Sequence, residues 1–269
     1  MMTSWKMLFI LLAGIVIGSG CTTSPSPNCD FQTACGTMGE AAADLPRDVY
    51  WIRQSVEYQA LCTQVYRLAW QSVKQQAAGL DRDWTVVLDV DETALDNSCY
   101  EKKIYMDQRK FPDCWDEWVL AQQCPPVPGV KAFIDSVRTL GLRAHVAYIT
   151  NRNAPLAEAT RANLKAAGLW QEGDVLLCQQ SREDTKEIRR SELRSGTGRC
   201  AGLGEKQIIA LIGDQIGDME AYPDRDESSG HPSWNDQLRS HYLELDKWGT
   251  HYFILPNPMY GYWERGYQR

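Results

Sequence analysis

The stretch Val86-Val87-Leu88-Asp89-Val90-Asp91-Glu92-Thr93 decides how the rest of the chain is interpreted. It begins with residues that favour β-strands and runs directly into two carboxylates one residue apart. We therefore predict a strand that ends near Asp89, with Asp89 and Asp91 at its carboxyl end, where open α/β sheets bind ligands. Two carboxylates this close stay ionised only with help from a cation or a proton, and an oxygen-rich site of this kind suits Mg²⁺.

An acidic turn after a strand is common and often has no function. The rest of the chain must therefore show whether Asp89 and Asp91 form an ordinary turn or a catalytic site. The 269 residues, 43% of them hydrophobic, are enough for one sizeable domain or two small ones. The net charge is −7 and there is no long basic run, which argues against a nucleic-acid polymer as the main partner. A small anionic ligand is compatible with this charge, because a local cation can override it.

The N-terminus has the pattern of a bacterial lipoprotein signal. Lys6 is followed by an apolar run, residues 7–17, that is too short to span a bilayer, and small residues then precede Cys21. Gly18 departs from this pattern, which prefers Leu, and an ordinary signal peptide cut nearby is the alternative. We expect a signal peptide over residues 1–20 and a lipidated tether over residues 21–48. The protein would then lie in the cell envelope, anchored by lipid at a bacterial outer membrane or facing the periplasm.

Cysteine usage fits an exported protein. If Cys21 carries lipid, eight of the nine cysteines remain, and we expect most of them to be paired in disulfides. Cys114 with Cys124 is the first candidate pair, and Cys29 with Cys35 is a candidate local bond. No C-x-x-C motif occurs and the four histidines lack metal-ligand spacing, so a zinc site is not expected.

Apolar periodicity predicts alternating strands and helices. Strands are expected at residues 85–88, 144–149, 175–178, 207–212 and 252–255, and helices at residues 49–77, 130–140, 156–167 and 183–193. This alternation predicts a doubly wound, mainly parallel α/β sheet with right-handed crossovers, in one domain over residues 49–269. Residues 96–126 lack a clean period and are expected to form a small cap of helix and loop over the strand ends.

Polar residues recur at the carboxyl ends of the predicted strands, and a lysine-bearing helix lies among them. The residues are Asp89 and Asp91, Thr150 and Asn151, Lys186, and Asp214 and Asp218. Each group alone has an ordinary explanation as a cap, a solvated surface residue or a turn. Their shared position at one edge of a parallel sheet indicates a single site.

These groups, in this order, resemble the four motifs of the haloacid dehalogenase (HAD) superfamily in its phosphatase form, which has a Rossmann-like fold. More narrowly, the chain is similar to the subfamily III acid phosphatases called the lipoprotein e family, which are surface 5'-nucleotidases. The similarity extends from Trp51 to Glu264 and includes Leu88-Asp89-x-Asp91-Glu92-Thr93-x-Leu95-Asp96-Asn97-Ser98, Trp115-x-x-Trp118, Val127-Pro128-Gly129 and Leu255-Pro256-Asn257. Two features depart from the family: Thr150 replaces a common Ser, and residues 181–206 are longer and contain a cysteine.

The resemblance implies hydrolysis of a phosphomonoester through an aspartyl-phosphate. Asp89 would be the nucleophile, and Asp91 would be the general acid and base. Mg²⁺ would be held by Asp89, by the backbone carbonyl of Asp91 and by Asp214, with Asp218 farther from the ion.

The resemblance also implies residues that bind the phosphoryl group. Thr150 would donate its hydroxyl to a phosphoryl oxygen beside Asn151, and Lys186 would neutralise charge on the nucleophile and the transition state. Lys206 is the alternative to Lys186, although it lies very close to the start of the fourth strand.

Aromatic residues from two segments are candidates for substrate contact. They are Trp115 and Trp118 in the cap, and Tyr260 and Trp263 near the C-terminus. Both segments leave the carboxyl edge of the sheet, so a pair of these rings could hold a nucleobase above the metal. The alternative is that these rings pack the cap onto the body.

Three other functions are less compatible with the motifs. A non-catalytic surface lipoprotein that binds a phosphorylated ligand would not need a general acid such as Asp91. Carbon–halogen hydrolases of the superfamily lack this second aspartate. A phosphomutase would need to retain a bisphosphate and exclude water, and no motif indicates either. We therefore expect a Mg²⁺-dependent phosphoric monoester hydrolase acting on small phosphomonoesters.

Overall fold

The computed structural model describes Cys29, Phe31, residues 45–222 and residues 233–266. Its centre is a sheet whose strands are β1 (Trp84–Leu88), β2 (Ala144–Asn153), β3 (Val175–Gln179), β4 (Gln207–Gly213) and β5 (Tyr252–Ile254). The order is β3-β2-β1-β4-β5, and every neighbouring pair is parallel. The predicted doubly wound α/β fold is therefore confirmed.

The strand order decides where a ligand can bind. From β1 the chain winds outward through β2 to β3 and then returns past β1 to form β4 and β5 on the other side. The direction of winding reverses between β1 and β4, which leaves a crevice beyond the carboxyl ends of these two strands. The residues that follow Leu88 and Gly213 therefore lie beside this crevice.

Helices cover both faces of the sheet. They are α1 (Arg47–Gln54), α2 (Val56–Ala77), α3 (Ser98–Met106), α4 (Trp115–Ala121), α5 (Val130–Arg138), α6 (Ala157–Ala166), α7 (Lys186–Ser195), α8 (Trp234–Leu243) and α9 (Tyr262–Gly266). Val86 and Leu88 pack into the larger apolar cluster, with α2 and α5, whereas Val87 packs into a smaller cluster with Leu193 of α7. Alternate residues of β1 thus face opposite layers, which explains why every residue of this strand is buried.

The single helix predicted over residues 49–77 is wrong, because Ser55 divides it into α1 and α2. Ser55 has extended backbone angles, and its hydroxyl accepts a hydrogen bond of 3.0 Å from the backbone N–H of Tyr58. A serine in this position competes for backbone donors and starts a new helix rather than continuing the old one.

The predicted pairing of Cys114 with Cys124 is also wrong. Cys114 is bonded to Cys29, so Cys29 cannot form the expected local bond with Cys35. Cys114 lies before the first residue of α4 and Cys124 lies beyond its end. A helix of seven residues is about 10 Å long, which exceeds the separation that a disulfide can bridge.

Most of the eight cysteines were expected to be paired, and this is wrong as well. Cys99 is disulfide-bonded, but four buried cysteines carry free thiols: Cys62, Cys124, Cys178 and Cys200. At most half of the eight can therefore be paired. Burial raises the pKa of the Cys62 thiol to about 12, so it stays protonated and packs as a small apolar side chain.

Cys21, the proposed signal peptide and most of the tether lie outside the described residues. Within the described part of the chain, no helix is both long and apolar enough to cross a membrane.

Candidate active site

Three carboxylates meet in the crevice beyond β1 and β4. Asp89 follows β1, Asp214 follows β4, and Asp218 ends a one-turn 3-10 helix, Ile216–Asp218. One oxygen from each side chain lies within 4.8 Å of the others. Leu88 pairs with Ile212 in the parallel register, and the backbone N–H of Asp89 donates to the Ile212 carbonyl at 2.9 Å. The sheet itself therefore brings the first two carboxylates together.

Gly213 allows the third carboxylate to fold back onto the strand end. A Cβ atom at Gly213 would overlap the side chain of Asp218, so no larger residue fits without moving that carboxylate. The Asp218 Oδ2 atom accepts a hydrogen bond of 2.9 Å from the backbone N–H of Gln215, which fixes its direction. The contact between Gly213 and the Asp218 side chain therefore depends on the absence of a side chain at position 213.

Lys186 is the cation that contacts this cluster. Its ammonium donates to Oδ1 of Asp89 and, at 2.6 Å, to Oδ1 of Asp218. The predicted helix over residues 183–193 begins only at Lys186, because the hydroxyl of Thr185 caps α7. Lys206 instead donates to the carbonyl of Leu203, before the first residue of β4 and at the opposite edge of the sheet.

Asp91 accepts hydrogen bonds from two side chains that were not predicted to belong to the site, Arg152 and Asn97. Its Oδ1 atom accepts from Arg152 Nε at 2.9 Å, from Arg152 Nη2 at 2.7 Å and from Asn97 Nδ2 at 2.9 Å. Arg152 is buried, and it directly follows the predicted pair Thr150 and Asn151 at the end of β2. Its position after that pair was the only sequence signal for it.

The comparisons with known proteins agree with this geometry. Residues 28–263 match the model of the HAD superfamily, subfamily IIIB (acid phosphatase). The chain belongs to this family. The resemblance drawn from the motifs is confirmed, and the protein is a phosphoric monoester hydrolase.

Two solved structures are similar to this phosphatase. The class C acid phosphatase from Bacillus anthracis has 26% sequence identity and a TM-score of 0.69, over 81% of this chain and 86% of that chain. The same enzyme with tungstate bound has 25% identity and a TM-score of 0.67, with the same coverage.

Burial makes the carboxylate cluster of the phosphatase electrostatically costly. Burial raises the pKa of Asp89 to about 7; Lys186 opposes this shift, while Asp218 and Asp91 add to it. Burial and the neighbouring Asp218 and Asp89 also raise the pKa of Asp214 well above its usual range. Burial would lower the pKa of Lys186, but the attraction of Asp218 and Asp89 outweighs it and raises that pKa.

The donor set fits a hard divalent cation. Three carboxylates face one ammonium, so the cluster has excess negative charge, and all its ligand atoms are oxygen. Such donors suit ions of the Mg²⁺ and Ca²⁺ type rather than thiolate-binding metals. HAD phosphatases generally use a divalent metal, and Asp89, Asp214 and Asp218 are the residues that offer it a site.

We expect the metal-free phosphatase to lose stability as the pH rises from about 4 to about 7. Asp89 has an unperturbed pKa of 3.8 but titrates near 7 when folded, so in this range the folded state binds more protons than the unfolded chain. One such group contributes at most about 1.4 kcal/mol per pH unit, and 1 kcal/mol corresponds to about 2–4 °C in Tm. Thermal melts in a chelator should show this loss.

Two comparisons make this expectation specific to the site. A divalent cation at this cluster would bind the carboxylates in their ionised form, so added Mg²⁺ should raise Tm more at pH 7 than at pH 5. Asp89→Asn cannot ionise at this position and should show a shallower loss without metal. If Asp89→Asn lost as much stability over this pH range as the wild type does, the assignment of the loss to Asp89 would be wrong.

Thr150 and Asn151 lie at the end of β2, where Arg189 from α7 holds them. The Arg189 guanidinium donates to the Thr150 carbonyl and, at 2.7 Å, to Asn151 Oδ1. The Thr150 hydroxyl accepts from the backbone N–H of Arg152 at 3.1 Å. Arg189 is fully buried and was not predicted, since its partners are far away in the sequence.

Trp118 was predicted to contact substrate, and this is wrong. It is completely buried, its indole N–H donates to Asn97 Oδ1 at 2.8 Å, and its ring centroid lies 5.0 Å from that of Phe31. Trp118 is therefore part of the large apolar core. Residues three apart lie on the same side of a helix, but this spacing does not determine how deeply each ring is buried.

The other three predicted aromatic residues lie closer to the surface. Trp115 is partly buried, with the Arg152 guanidinium 5.6 Å from its ring centroid, so it borders the side chains around Asp91. Tyr260 is partly buried against the core, and Trp263 is 44% exposed.

The C-terminal segment reaches the carboxylate cluster. Asn257 Nδ2 donates to Asp214 Oδ2 at 2.8 Å. The backbone N–H of Tyr262 donates to Gln215 Oε1 at 2.9 Å, and its ring stacks on Tyr222 at 4.0 Å. Asn257 belongs to a family motif that had no assigned role, and the structure brings it into contact with the site.

Proposed function

We propose that this phosphatase hydrolyses 5'-nucleotides and related small phosphomonoesters, with Mg²⁺, through an aspartyl-phosphate on Asp89. The observation that carries the proposal is the placement of Asp89. It lies buried at the crevice of the sheet, next to one cation, Lys186, and within the only group of acidic residues that meets metal-ligand spacing in the described part of the chain.

Asp89 is proposed as the nucleophile that attacks phosphorus as the bond to the leaving oxygen breaks. Asp91 gives a proton to that oxygen and later takes one from the water that hydrolyses the aspartyl-phosphate. Two carboxylates with these different roles need different surroundings. Asp89 contacts Lys186, whereas Asp91 contacts Arg152 and Asn97, which supports the division.

Lys186 is proposed to neutralise charge on the nucleophile and on the equatorial phosphoryl oxygens. Thr150 and Asn151 are proposed to donate to those oxygens from the end of β2. Lys206 is not proposed for this role, because its ammonium contacts Leu203 at the other edge of the sheet.

The proposed Mg²⁺ ligands are Asp89, Asp214 and the backbone carbonyl of Asp91. When bound, the ion would screen the attacking carboxylate from the phosphate and stabilise charge on its oxygens. Asp218 is proposed to lie farther from the ion, since its two oxygens already accept from Lys186 and from the backbone of Gln215.

The test is phosphate release from a panel of phosphomonoesters after removal of metal by chelation. Activity should return with added Mg²⁺, and nucleoside 5'-monophosphates should be among the best substrates. Full activity in chelator would refute the metal requirement. Binding of phosphomonoesters without any turnover would favour the rival proposal, a surface protein that only binds a phosphorylated ligand.

The nucleotide preference predicts a substrate-dependent effect of Trp115→Ala. Stacking of a base on an aromatic ring is worth roughly 1–3 kcal/mol, so kcat/KM for a nucleoside monophosphate should fall by about 5- to 150-fold. A small phosphomonoester without a base should lose little. Tyr260→Ala should behave in the same way if it supplies the second ring.

The comparison of substrates also controls for packing. Trp115 contacts Tyr100 with ring centroids 5.0 Å apart, so part of any loss can come from a disturbed cap. A disturbed cap would lower activity on both substrates equally. Equal losses would therefore leave a general acid phosphatase without base recognition.

We also propose that the protein is anchored in the cell envelope by lipid on Cys21, which rests on the sequence pattern before that residue. A single acyl chain binds only marginally, so more than one chain would be attached. Cys21→Ser should release the protein or leave its precursor uncut. A variant of mature mass that still fractionates with membranes would refute the anchor.

A further inference from the structure

Asn97 is a fully buried amide at the junction between the cap and the site. Its Oδ1 atom faces three donors: Trp118 Nε1 at 2.8 Å, Cys124 Sγ at 3.2 Å and Arg152 Nη2 at 3.3 Å. The indole and guanidinium groups can only donate, so the atom that faces them must be the amide oxygen.

The other end of the same amide faces two carboxylates. Asn97 Nδ2 lies 2.9 Å from Asp91 Oδ1 and 3.2 Å from Glu92 Oε2. The backbone N–H of Asn97 also donates to Glu92 Oε1 at 2.8 Å. A flipped amide would turn its oxygen toward carboxylates and its N–H groups toward donors, so the contacts at both ends favour one orientation.

This orientation restricts the carboxylate of Asp91. All three donor atoms that reach Asp91 from Asn97 and Arg152 converge on Oδ1. The side chain keeps 19% of its surface exposed, so its other oxygen is the one available to a substrate. A single Asp91 oxygen is thereby held by neutral and cationic donors at once.

We propose that Asn97, together with Arg152, is a positioning residue that holds Oδ1 of Asp91, so that Oδ2 is the atom that exchanges protons with the substrate. In the first step, the proton on Oδ2 passes to the bridging oxygen as the phosphorus–oxygen bond breaks and the alcohol leaves. In the second step, Oδ2 takes a proton from the water that attacks the aspartyl-phosphate. The inference rests on the proposed general-acid role of Asp91.

A loss of positioning has a signature that a loss of folding lacks. Protonation of the leaving oxygen matters most when the leaving group is a poor one, such as an alcohol, and little when it is an acidic phenol. Damage to the Asp91 geometry should therefore slow hydrolysis of an alkyl phosphate much more than hydrolysis of p-nitrophenyl phosphate.

The test variant is Asn97→Asp, which keeps an acceptor for Trp118 and Arg152 but replaces the donor to Asp91 with an oxygen. We expect kcat for an alkyl phosphate to fall by about 10- to 100-fold, which is a part of the total contribution of about 10²–10⁴-fold from general acid catalysis. The kcat for p-nitrophenyl phosphate should change by less than about 3-fold, and KM for both esters should change little. Equal losses on the two esters, or none, would overturn the inference.

Asn163→Asp is the matched control. Asn163 is also buried, and its amide bonds both backbone groups of Cys124 at 3.0 and 2.9 Å, so the change disturbs the same part of the cap without touching Asp91. It should show no dependence on the leaving group, and the same dependence there would overturn the inference. If Asn97→Asp does not fold, Arg152→Lys is the second variant, because it removes the two hydrogen bonds from the guanidinium to Asp91 but keeps the positive charge. It should likewise slow hydrolysis of the alkyl phosphate more than hydrolysis of p-nitrophenyl phosphate.

Asp91→Asn separates this inference from the proposed function. If the loss of kcat depends on the leaving group in Asp91→Asn but is equal for both esters in Asn97→Asp, only the positioning role of Asn97 is overturned. Uniform losses in both variants overturn the general-acid role of Asp91 and the inference with it.

Discussion

Asp89→Asn should lower kcat by several orders of magnitude, on the scale of about 4–8 kcal/mol in the activation barrier. The substitution keeps the shape of the side chain but removes the negative charge that we propose attacks phosphorus. It also removes one carboxylate from the cluster with Asp214 and Asp218, so affinity for a divalent cation should fall as well. Single-turnover kinetics with saturating Mg²⁺ would separate the chemical loss from weakened metal binding.

Asp83→Asn is a matched control for that experiment. Asp83 precedes β1, at the opposite end from Asp89, and its half-exposed carboxylate contacts His145 at 3.1 Å. It should retain near-native turnover and metal affinity. Near-native turnover in Asp89→Asn would instead show that the reaction does not use an aspartyl-phosphate at this residue.

The strands and their polar ends were predictable because the signals are local. Each strand contains a short apolar run, and the rule for parallel sheets then places residues after β1 and β4 at one edge. Asp89 and Asp214 could therefore be predicted as neighbours although they lie 125 positions apart in the sequence. The boundaries of helices were less predictable where a hydroxyl residue such as Ser55 or Thr185 caps the next helix.

Buried polar pairs were not predictable because their partners are remote in sequence. Arg152 meets Asp91 across 61 positions, and Asn97 meets Trp118 across 21. A buried arginine and a surface arginine look alike in sequence, and only the packing of the cap against the sheet distinguishes them. The disulfide of Cys29 with Cys114 was missed for the same reason, since it spans 85 positions.

The family motif nevertheless marked some of these residues without explaining them. Asn97 lies in the first motif and Asn257 in the last, and neither had an assigned contact. The structure gives Asn257 a hydrogen bond to Asp214 and Asn97 one to Asp91. Both amides thus touch a carboxylate of the site, one on each side of the crevice.

Lys186→Met is expected to have the second large effect, a fall in kcat of about 10²–10³-fold, or about 2.7–4 kcal/mol, as for the loss of one donor that stabilises transition-state charge. Lys186 bridges Asp89 and Asp218, so its removal takes the ammonium charge away from both carboxylates and, in the proposed mechanism, from the transferring phosphoryl group. Methionine has a similar volume, so packing of the stem is retained. Kinetics at saturating substrate and Mg²⁺ would measure the effect.

Lys206→Met provides the control for this last prediction. Both lysines are buried to a similar degree, but Lys206 donates to the carbonyl of Leu203, ahead of β4 and away from the carboxylate cluster. The variant loses one buried hydrogen bond and should cost about 1–3 kcal/mol of stability while leaving kcat within about 3-fold of the wild type. A loss of kcat in Lys206→Met that matched the loss in Lys186→Met would mean that stability, rather than charge beside Asp89, accounts for both.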